Sequence, residues 1–556
     1  MLIAKAKDPA FWEKVRTSEA YAPLREELLA LWEKNCTSDI PACKYTEFII
    51  FKDRGSRKEY EASYFARRRA LNTSALLSLI YPEEEAYKQK LWDVIWAILD
   101  EYTWALPAHI HNFETTQTDD IDLFAAETSF ALSEIEYLLG DSLPPLIRDR
   151  IRVEIDRRVI YPYLQAETPI WWESARTNWA AVCVGSVCAA FLYTHPEHME
   201  NILPRVKETV SCFLSGFTED GICLEGLSYW HYGFGFFMCL ADLLREYTHG
   251  ELNYFADPKV RKIAAFAQRM FLGDRATVSF SDSGRGNRYH LGLLHYLKGE
   301  YGDEIRLPPR SISYTNDQCG RWGLHLRAFL WFDETLPHGQ IEQESTVYAP
   351  HAQWLIKRTP AYGFAAKGGR NNEPHNHNDL GSFLVVKDGQ QVLCDLGSGI
   401  YSRDYFRGPT RYLNLHTSSR GHSVPVINGI YQTAGKEYGA TSSFEDGVFT
   451  TEIHGGYNLP ALTSLTRSFS FGTDHILLQD KYSYDGTPDS FTERFISVVE
   501  PQVCDGCVKI GSLTLFADMD AVAAIDVHTE TEKHPVWMLD YTLKPDARVF
   551  RLKIQV

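Results

Sequence analysis

The chain has 556 residues, of which 44% are hydrophobic and 23% are charged, and its formal net charge is −17. This length exceeds what one hydrophobic core supports and indicates more than one domain. The acidic balance argues against a nucleic-acid partner, which needs a basic face, but it does not exclude an anionic substrate, because local charge governs a cleft.

The N-terminus and the cysteines bear on where the protein works. The first residues, MLIAKAKDPAFWEKVRTSE, lack the apolar segment of a signal peptide, and no stretch reaches transmembrane length. The 11 cysteines lack the spacing of a disulfide scaffold, which is typical of a reducing compartment. Cys504 and Cys507 form a C-x-x-C, but no second pair follows to complete a zinc site. We expect a cytoplasmic protein with no membrane partner, and the sequence leaves open whether it forms a homo-oligomer.

The first part of the chain, residues 1–335, has the apolar periodicity of α-helices. Residues 178–194 are apolar on nearly all faces, so this helix is expected to be buried. Helices of similar length joined by short links predict antiparallel hairpins that stack into an incomplete (α/α) toroid with a cleft at one end. The predicted helices are 90–106, 121–140, 178–194, 201–217, 234–249 and 260–273.

From residue 340 to residue 556 the apolar period changes to that of β-strands. Short runs such as STVYA, FLVV and SVPVI alternate with turn signals, including Asp388-Gly389 and Asn428-Gly429. The pattern predicts an antiparallel β-sandwich. The whole chain is therefore expected to be an α+β multidomain protein, with the toroid first and the sandwich second.

The most informative motif is EPHNHNDLGSF, residues 373–383, in which His375 and His377 are two residues apart before an apolar run. In an extended chain, residues i and i+2 point to the same side, so both imidazoles are expected to face one site. Two convergent histidines indicate metal binding, proton transfer or both. The alternative is a polar turn that precedes a strand.

Four other motifs accompany the histidine segment. They are RTNWAAVC with Asn178, EGLSYWHYG with Tyr229 and Tyr232, VLCDLGSGIY with Asp395, and SRGHSVPVING with His422. Together the motifs resemble the heparinase II/III superfamily of polysaccharide lyases, and HNHNDLGSF followed by D-x-G-x-G-x-Y is the most specific element. The resemblance implies an α/α toroid followed by a β-sandwich, and cleavage of uronic-acid polysaccharides by β-elimination.

The resemblance also implies roles for individual residues. Asn178 would neutralise the substrate carboxylate, Tyr232 would be the acid and the candidate base, and His375 would be the base for one C5 configuration. Tyr229 would contact the substrate and is the rival for the tyrosine role. Some relatives carry histidine in place of the asparagine, which leaves open how many bases the site has.

A metal site is implied in the same way. His377, Asp395 and His422 would hold a divalent ion, expected to be zinc, with manganese or calcium as alternatives. Its expected role is structural, to fix the segment that presents the catalytic histidine. His416 is a competing third ligand, and Asp379 is a candidate for orienting an imidazole.

Weaker candidates complete the set. TWALPAHIHN resembles a stretch that lines the toroid cleft, so His109 or His111 is expected to touch the substrate. Arg411, with Arg403 and Arg407, is a candidate for binding sugar carboxylates or sulfates, although a solvated loop explains these arginines equally well. FSDSGRGN is a candidate cleft loop to which no role is assigned.

The leading hypothesis is a lyase for glycosaminoglycans such as heparan sulfate, hyaluronan or chondroitin, or for alginate. A glycoside hydrolase is the second hypothesis. It needs two carboxylates about 5 to 10 Å apart, and Glu173 and Glu225 are the candidates. The third hypothesis is a non-catalytic carbohydrate-binding protein, which would use aromatic and arginine side chains without proton transfer.

Overall fold

A computed structural model describes residues 2–115, 120–273, 276–287, 289–308, 317–336, 339, 342, 344–518, 522–528, 535–544 and 546–556. The chain divides into two compact units. The helical unit comprises Met1–Gly216, Trp230–Arg261 and Tyr289–Gly339, and the β unit comprises Phe217–Tyr229, Lys262–Arg288 and Gln340–Val556. The β unit thus includes two segments from the range predicted to be helical, in addition to the residues predicted to form the sandwich.

The helices are α1 (Ala4–Lys7), α2 (Pro9–Thr17), α3 (Ala22–Asn35), α4 (Tyr45–Phe48), α5 (Ile50–Arg54), α6 (Lys58–Ile80), α7 (Glu85–Leu99), α8 (Leu123–Leu139), α9 (Pro145–Ile155), α10 (Tyr161–Gln165), α11 (Asn178–Thr194), α12 (Met199–Ser215), α13 (Leu227–Tyr229), α14 (Gly235–Tyr247), α15 (Pro258–Ala264), α16 (Phe266–Met270), α17 (Leu291–Tyr301), α18 (Trp322–Leu330), α19 (Arg403–Phe406) and α20 (Gly408–Arg411). Two π-helical turns, Asp156–Ile160 and Trp230–Phe234, interrupt this series.

Helix α11 is the buried helix that the sequence predicts at 178–194. It packs against α8, α12 and α14, which explains why it is apolar on all faces. Helix α8 begins after Asp122, whose carboxylate accepts hydrogen bonds from the backbone N–H groups of Phe124 and Ala125. The prediction of one continuous helix at 260–273 is wrong, because the structure has two helices there, α15 and α16, with a break at Ala265.

The strands all lie in the β unit. They are β1 (Ser345–Ala349), β2 (Trp354–Arg358), β3 (Gly363–Lys367), β4 (Phe383–Lys387), β5 (Gln390–Leu393), β6 (Pro425–Ile427), β7 (Thr441–Glu445), β8 (Val448–Glu452), β9 (Leu462–Phe471), β10 (His475–Tyr484), β11 (Phe491–Ser497), β12 (Pro501–Cys504), β13 (Cys507–Ile510), β14 (Leu513–Ala517), β15 (Val522–His528), β16 (Val536–Thr542) and β17 (Val549–Gln555).

Within the described residues, the strands form two antiparallel sheets. One sheet has the order β1-β2-β3-β4-β5-β11-β16-β15, with β6 beside β11, and the other has the order β12-β13-β14-β17-β10-β9-β8-β7. The inner faces pack through aromatic rings, since Phe469 lies 5.0 Å from Phe364 and 4.9 Å from Phe383 between ring centroids. Asp388-Gly389 and Asn428-Gly429 adopt positive φ angles at their turns, as their sequences predict.

Among the described residues, no single helix is long and apolar enough to cross a membrane. One pair of segments, Asn178–Thr194 and Pro196–Ser215, meets the criteria of length and composition together, but the pair is bent by 120°. Both α11 and the cysteines Cys183 and Cys188 within it are buried, which is the setting of a core helix.

Candidate active site

The histidine segment is not a strand. Strand β4 begins only at Phe383, and His375 has a φ of 54°, in the left-handed region that non-glycine residues rarely adopt. The extended conformation that alternation predicts for this segment is therefore wrong. The two imidazoles nevertheless converge, because His375 and His377 both contact the carboxylate of Asp282.

His375 lies between two carboxylates. Its Nδ1 donates to Asp282 Oδ2 at 2.6 Å, and its Nε2 lies 3.3 Å from Glu225 Oε2. Burial disfavours the charged imidazole, but the hydrogen bonds to Asp282 and Glu225 outweigh it and raise the pKa of His375 to about 9. The surroundings therefore favour the imidazolium form. The side chain is 15% exposed, so it remains partly accessible.

Tyr229 stacks on the His375 imidazole, with 4.0 Å between ring centroids and an interplanar angle of 25°. The Tyr229 and Tyr401 hydroxyls share a hydrogen bond of 2.8 Å. The Tyr401 ring lies 5.1 Å from that of Tyr405, whose hydroxyl donates to Asp282. One cluster of groups that can transfer protons therefore contains the His375 imidazole and the phenols of Tyr229, Tyr401 and Tyr405.

The predicted metal ligands also cluster in the β unit. His377 and His422 are fully buried. The Nε2 of His377 donates to Asp282 Oδ1 at 3.0 Å, while its Nδ1 has no hydrogen-bond partner among the described residues. The Nε2 of His422 lies 2.8 Å from the His416 carbonyl, and its Nδ1 lies 3.1 Å from Asp395 Oδ2. The His416 imidazole itself faces the Gly397 carbonyl at 2.9 Å.

These contacts test whether the residues suit a cation. A carbonyl only accepts, so Nε2 of His422 carries a proton, and Nδ1 can direct its lone pair toward the same space as the Asp395 carboxylate. The bare Nδ1 of His377 repeats this pattern, in which a ligating imidazole donates its other N–H to a protein oxygen. The donor set therefore fits a divalent ion.

Asp379 lies close enough to His377 and His422 to be a metal ligand itself and not only a residue that orients an imidazole. One ligand atom from each of His377, Asp379 and His422 lies within 4.8 Å of the others. Asp379 Oδ1 accepts from Lys367 Nζ at 2.7 Å, and Asp379 Oδ2 has no hydrogen-bond partner in the described part of the chain. Asp379 is therefore a fourth candidate ligand, while the identity of the ion as zinc stays a prediction.

Asn178 and Tyr232 lie together in the helical unit. Asn178 is the first residue of α11 and is buried, and a Cβ added to Gly233 would lie 3.0 Å from its Cα. The Tyr232 hydroxyl donates to Glu127, and the guanidinium of Arg321 lies 3.9 Å from the Tyr232 ring. Burial raises the pKa of Glu127 to about 7, against the opposing effect of Arg321.

The arginines of the β unit differ in exposure. Arg411 is buried, and its guanidinium donates to the backbone carbonyls of Asn376 and Tyr405. Arg403 and Arg407 are exposed. Substrate binding by Arg411 stays a prediction, but the described contacts engage its guanidinium within the protein.

A cavity of about 690 Å³ opens in the helical unit, and its wall is aromatic. Trp171 lies 4.7 Å from Trp179, which lies 4.8 Å from His109, between ring centroids. His109 donates through Nδ1 to Asp122 at 2.7 Å, and His111 is exposed beside Asp120. Both predicted histidines line this cavity, together with Arg157, Tyr161 and Gln165.

Several residues of the cluster escaped the sequence interpretation. Asp282 lies in FSDSGRGN, a segment whose sequence indicates no role, although its carboxylate binds both histidines. The sequence indicates Glu225 as half of a hydrolase pair and not as a partner of an imidazole. The only available signal was the polar composition of these segments, because their contacts join residues about 90 or more positions apart in the chain.

Residues 348–536 match the family model described as Heparinase II/III-like, C-terminal. The match covers the histidine segment and the predicted metal ligands, and it confirms the resemblance that the motifs indicate. No curated protein matches the chain significantly in sequence.

Three solved structures illustrate the likeness of fold. A heparan sulfate lyase HepC mutant from Pedobacter heparinus is 13% identical with a TM-score of 0.57, and the match covers 96% of this chain and 88% of the lyase. The chondroitin AC lyase of Streptomyces coelicolor A3 is 10% identical with a TM-score of 0.55, and the match covers 98% of this chain and 82% of the lyase. A Paenibacillus xanthan lyase is 11% identical with a TM-score of 0.56, and the match covers 99% of this chain and 59% of the lyase. The predicted fold class, a helical toroid followed by an antiparallel β-sandwich, is confirmed.

Proposed function

We propose that the protein is a polysaccharide lyase that cleaves uronate-containing polysaccharides or oligosaccharides by β-elimination. The observation that carries the proposal is the stacking of Tyr229 on His375, an imidazole flanked by two carboxylates in a unit that matches the heparinase II/III-like family model. The similar folds named above are lyases for heparan sulfate, chondroitin and xanthan. The proposed substrates are glycosaminoglycans, with alginate as a further uronate polymer.

The reaction sets three chemical requirements. A base removes the proton at C5, the C4–O bond breaks, and an acid protonates the leaving oxygen while a C4–C5 double bond forms. The negative charge that develops on the carboxylate also needs hydrogen-bond donors or cations. An imidazole and a phenol in ring contact supply two groups of the right type for the proton transfers.

Tyr229 is the tyrosine that the proposal places in the acid role, in preference to the sequence-based choice of Tyr232. Its ring touches His375 and its hydroxyl shares a hydrogen bond with Tyr401, whereas the Tyr232 hydroxyl donates to the Glu127 carboxyl. His375 takes the C5 proton for one C5 configuration in its neutral form, which arises when Nε2 passes its proton to the Glu225 carboxylate 3.3 Å away. Asn178 keeps its proposed role of binding the substrate carboxylate through an amide that adds no negative charge.

The candidate metal site is proposed to stabilise the cluster that contains His375 and Tyr229. His377, Asp395 and His422, with Asp379 beside them, would hold a divalent ion. When bound, the ion supplies positive charge and a fixed geometry. Because His377 shares the carboxylate of Asp282 with His375, the proposed role of the site is to hold the segment that presents His375.

The aromatic cavity of the helical unit suits a saccharide. Sugar rings present apolar faces that pack on aromatic side chains, and Trp171 and Tyr161 are 52% and 50% exposed there. Arg157 adds a cation for a carboxylate or sulfate group. His109, held by Asp122, presents its other ring nitrogen as a further polar contact.

The hydrolase hypothesis is disfavoured by the surroundings of its two carboxylates. Glu173 is buried in the helical unit, where Arg205 binds both of its oxygens at 2.9 and 3.2 Å. Glu225 belongs to the β unit and faces an imidazole. Both carboxylates thus face basic side chains, which is not the arrangement of two opposed carboxyl groups that flank a glycosidic bond in a hydrolase.

One assay tests the proposal directly. The purified protein is incubated with a panel of heparan sulfate, chondroitin, hyaluronan and alginate, and ultraviolet absorbance of the unsaturated uronate is followed. We expect absorbance to rise with at least one polymer. New reducing ends without absorbance would support the hydrolase instead, and binding without either product would support the carbohydrate-binding alternative.

A further inference from the structure

The carboxylate of Asp282 contacts four side chains, two of them the histidines of the 373–383 segment. Oδ2 accepts from His375 Nδ1 at 2.6 Å and lies 3.5 Å from Arg411 Nη2. Oδ1 accepts from His377 Nε2 at 3.0 Å and from the Tyr405 hydroxyl. The side chain is fully buried, so these protein donors take the place of water around its charge.

We propose that Asp282 is the positioning residue that fixes His375 relative to the candidate metal ligand His377. The inference rests on the proposed function for its effect on catalysis, but the positioning itself does not. Each carboxylate oxygen is assigned to one imidazole, so a shift of one ring moves the carboxylate and, with it, the other ring. A hydrogen bond that fixes the orientation of each ring also decides which nitrogen carries a proton.

The loop that carries Asp282 is anchored on both sides of the cluster. The Ser281 hydroxyl donates to the Leu224 carbonyl at 2.7 Å, next to Glu225. The Ser279 hydroxyl donates to the Asp395 carbonyl at 3.0 Å, and the Ser398 N–H donates to the Ser283 carbonyl at 3.2 Å. The backbone at Ser281 has a φ of 61°, so the chain accepts an uncommon conformation to place this side chain.

The substitution Asp282→Asn makes the sharpest test. An amide keeps one acceptor oxygen but places an NH₂ group where the second oxygen was, so one imidazole N–H meets a donor and that ring must rotate or change tautomer. We expect turnover to fall about 10- to 100-fold, the usual effect of losing such a partner, while KM changes less than about threefold. Tyr405→Phe is the matched control, because it removes a different donor from the same carboxylate.

The decisive readout is the histidine side-chain ¹⁵N NMR spectrum, with His375→Gln and His377→Gln used for assignment. We expect Asp282→Asn to shift the signals of both residues and Tyr405→Phe to leave both signals near their wild-type positions. Unchanged signals in a folded Asp282→Asn variant would overturn the inference. A wild-type protein that forms no unsaturated product would refute the proposed function, whereas the NMR comparison would still decide the positioning role.

A second inference comes from the C-x-x-C motif. Cys504 ends β12 and Cys507 begins β13, and the two are direct cross-strand partners on either side of the Asp505-Gly506 turn. Strand β12 is at the edge of its sheet. Directly opposed residues have Cα atoms about 4.5 to 5.5 Å apart, within the range that a disulfide bridges.

We infer that Cys504 and Cys507 form a reversible dithiol site that reacts with small disulfides. Cys504 is exposed and Cys507 is partly exposed, whereas Cys183, Cys188 and Cys239 are buried. The Cys504 thiolate attacks a disulfide such as oxidised glutathione and releases one glutathione thiolate. The Cys507 thiolate then attacks the Cys504 sulfur and releases the second, so two cysteines are oxidised and one glutathione disulfide is reduced.

Mass spectrometry of the whole protein after incubation with oxidised glutathione tests this site. We expect a loss of two hydrogens, a 504–507 cross-link in the peptide map, and reversal by a thiol reductant. Cys507→Ser should instead retain one glutathione on Cys504, because the resolving thiol is missing. Wild-type protein that accumulates glutathione on Cys504 without the cross-link, or that does not react at all, would overturn the inference.

Discussion

Tyr229 and Tyr232 are three residues apart in EGLSYWHYG, yet the structure gives them opposite surroundings. Tyr229 belongs to the β unit and stacks on the His375 imidazole at 4.0 Å. Tyr232 belongs to the helical unit, where its hydroxyl donates to Glu127 beneath the Arg321 guanidinium. The Tyr229 ring therefore contacts an imidazole and its hydroxyl contacts another phenol, whereas the Tyr232 hydroxyl is paired with a carboxyl group.

This contrast shows that a motif can indicate a type of chemistry without identifying the residue that performs it. The π-helical turn Trp230–Phe234 begins directly after Tyr229 and changes the residue spacing of the helix. A regular α-helix would place residues three apart on one face. Such turns are frequent at functional sites, and their position is set by tertiary contacts that the sequence does not display.

The largest effect is expected from the imidazole that defines the β-unit cluster. His375→Gln keeps a polar side chain of similar length but cannot exchange a proton. We expect activity to fall about 10²- to 10⁴-fold, the range of general acid–base catalysis. The ultraviolet assay measures the loss, and circular dichroism checks the fold. Activity within about tenfold of wild type would remove His375 from the chemistry.

The two tyrosines provide the direct test of the comparison. Tyr229→Phe removes the hydroxyl beside His375, and we expect turnover to fall about 10²-fold or more. Tyr232→Phe removes a hydroxyl that donates to Glu127, and we expect a loss of less than about tenfold. Parallel kinetics of the two variants decide the matter. A dead Tyr232→Phe beside an active Tyr229→Phe would return the role to the tyrosine that the sequence interpretation favours.

The metal ligands should respond differently from the catalytic histidine. We expect His377→Ala to lose bound metal, to lower the melting temperature and to lose activity as a consequence, because a bound ion stabilises only the folded state. His375→Ala should retain the metal and the melting temperature. Elemental analysis and melting curves of both variants make the comparison. Equal metal content in the two would contradict the division of labour between the histidines.

The aromatic cavity of the helical unit is expected to contribute to binding more than to turnover. Trp171→Ala removes an exposed ring from the cavity wall, and we expect KM to rise about three- to tenfold with little change in kcat. Trp96→Ala is a matched control, since Trp96 is 42% exposed and does not line the cavity. Equal effects of the two substitutions would remove the cavity from the proposed substrate path.

The sequence predicts the fold class and most of the elements because these depend on local patterns. The apolar helix at 178–194 and the turns at Asp388-Gly389 and Asn428-Gly429 follow from periodicity and turn chemistry alone. The partners of His375 could not be predicted, since Asp282 and Glu225 are 93 and 150 positions away in the chain. The left-handed backbone at His375 could not be predicted either, because most histidines adopt other conformations.

The smallest effect concerns Glu127, the carboxyl group paired with Tyr232. Its pKa is raised to about 7, chiefly by burial, so the folded protein favours the protonated form relative to the unfolded chain. The stability from this group is fully present below about pH 4, where an ordinary carboxyl is protonated, and it is lost as the pH rises through about 7. Glu127→Gln cannot ionise. The melting temperature of wild type relative to this variant should therefore fall by a few degrees between pH 5 and pH 8. If the difference in melting temperature between wild type and Glu127→Gln stays constant across this range, Glu127 is already ionised in the folded protein. Tyr232 would then face a carboxylate able to accept its proton.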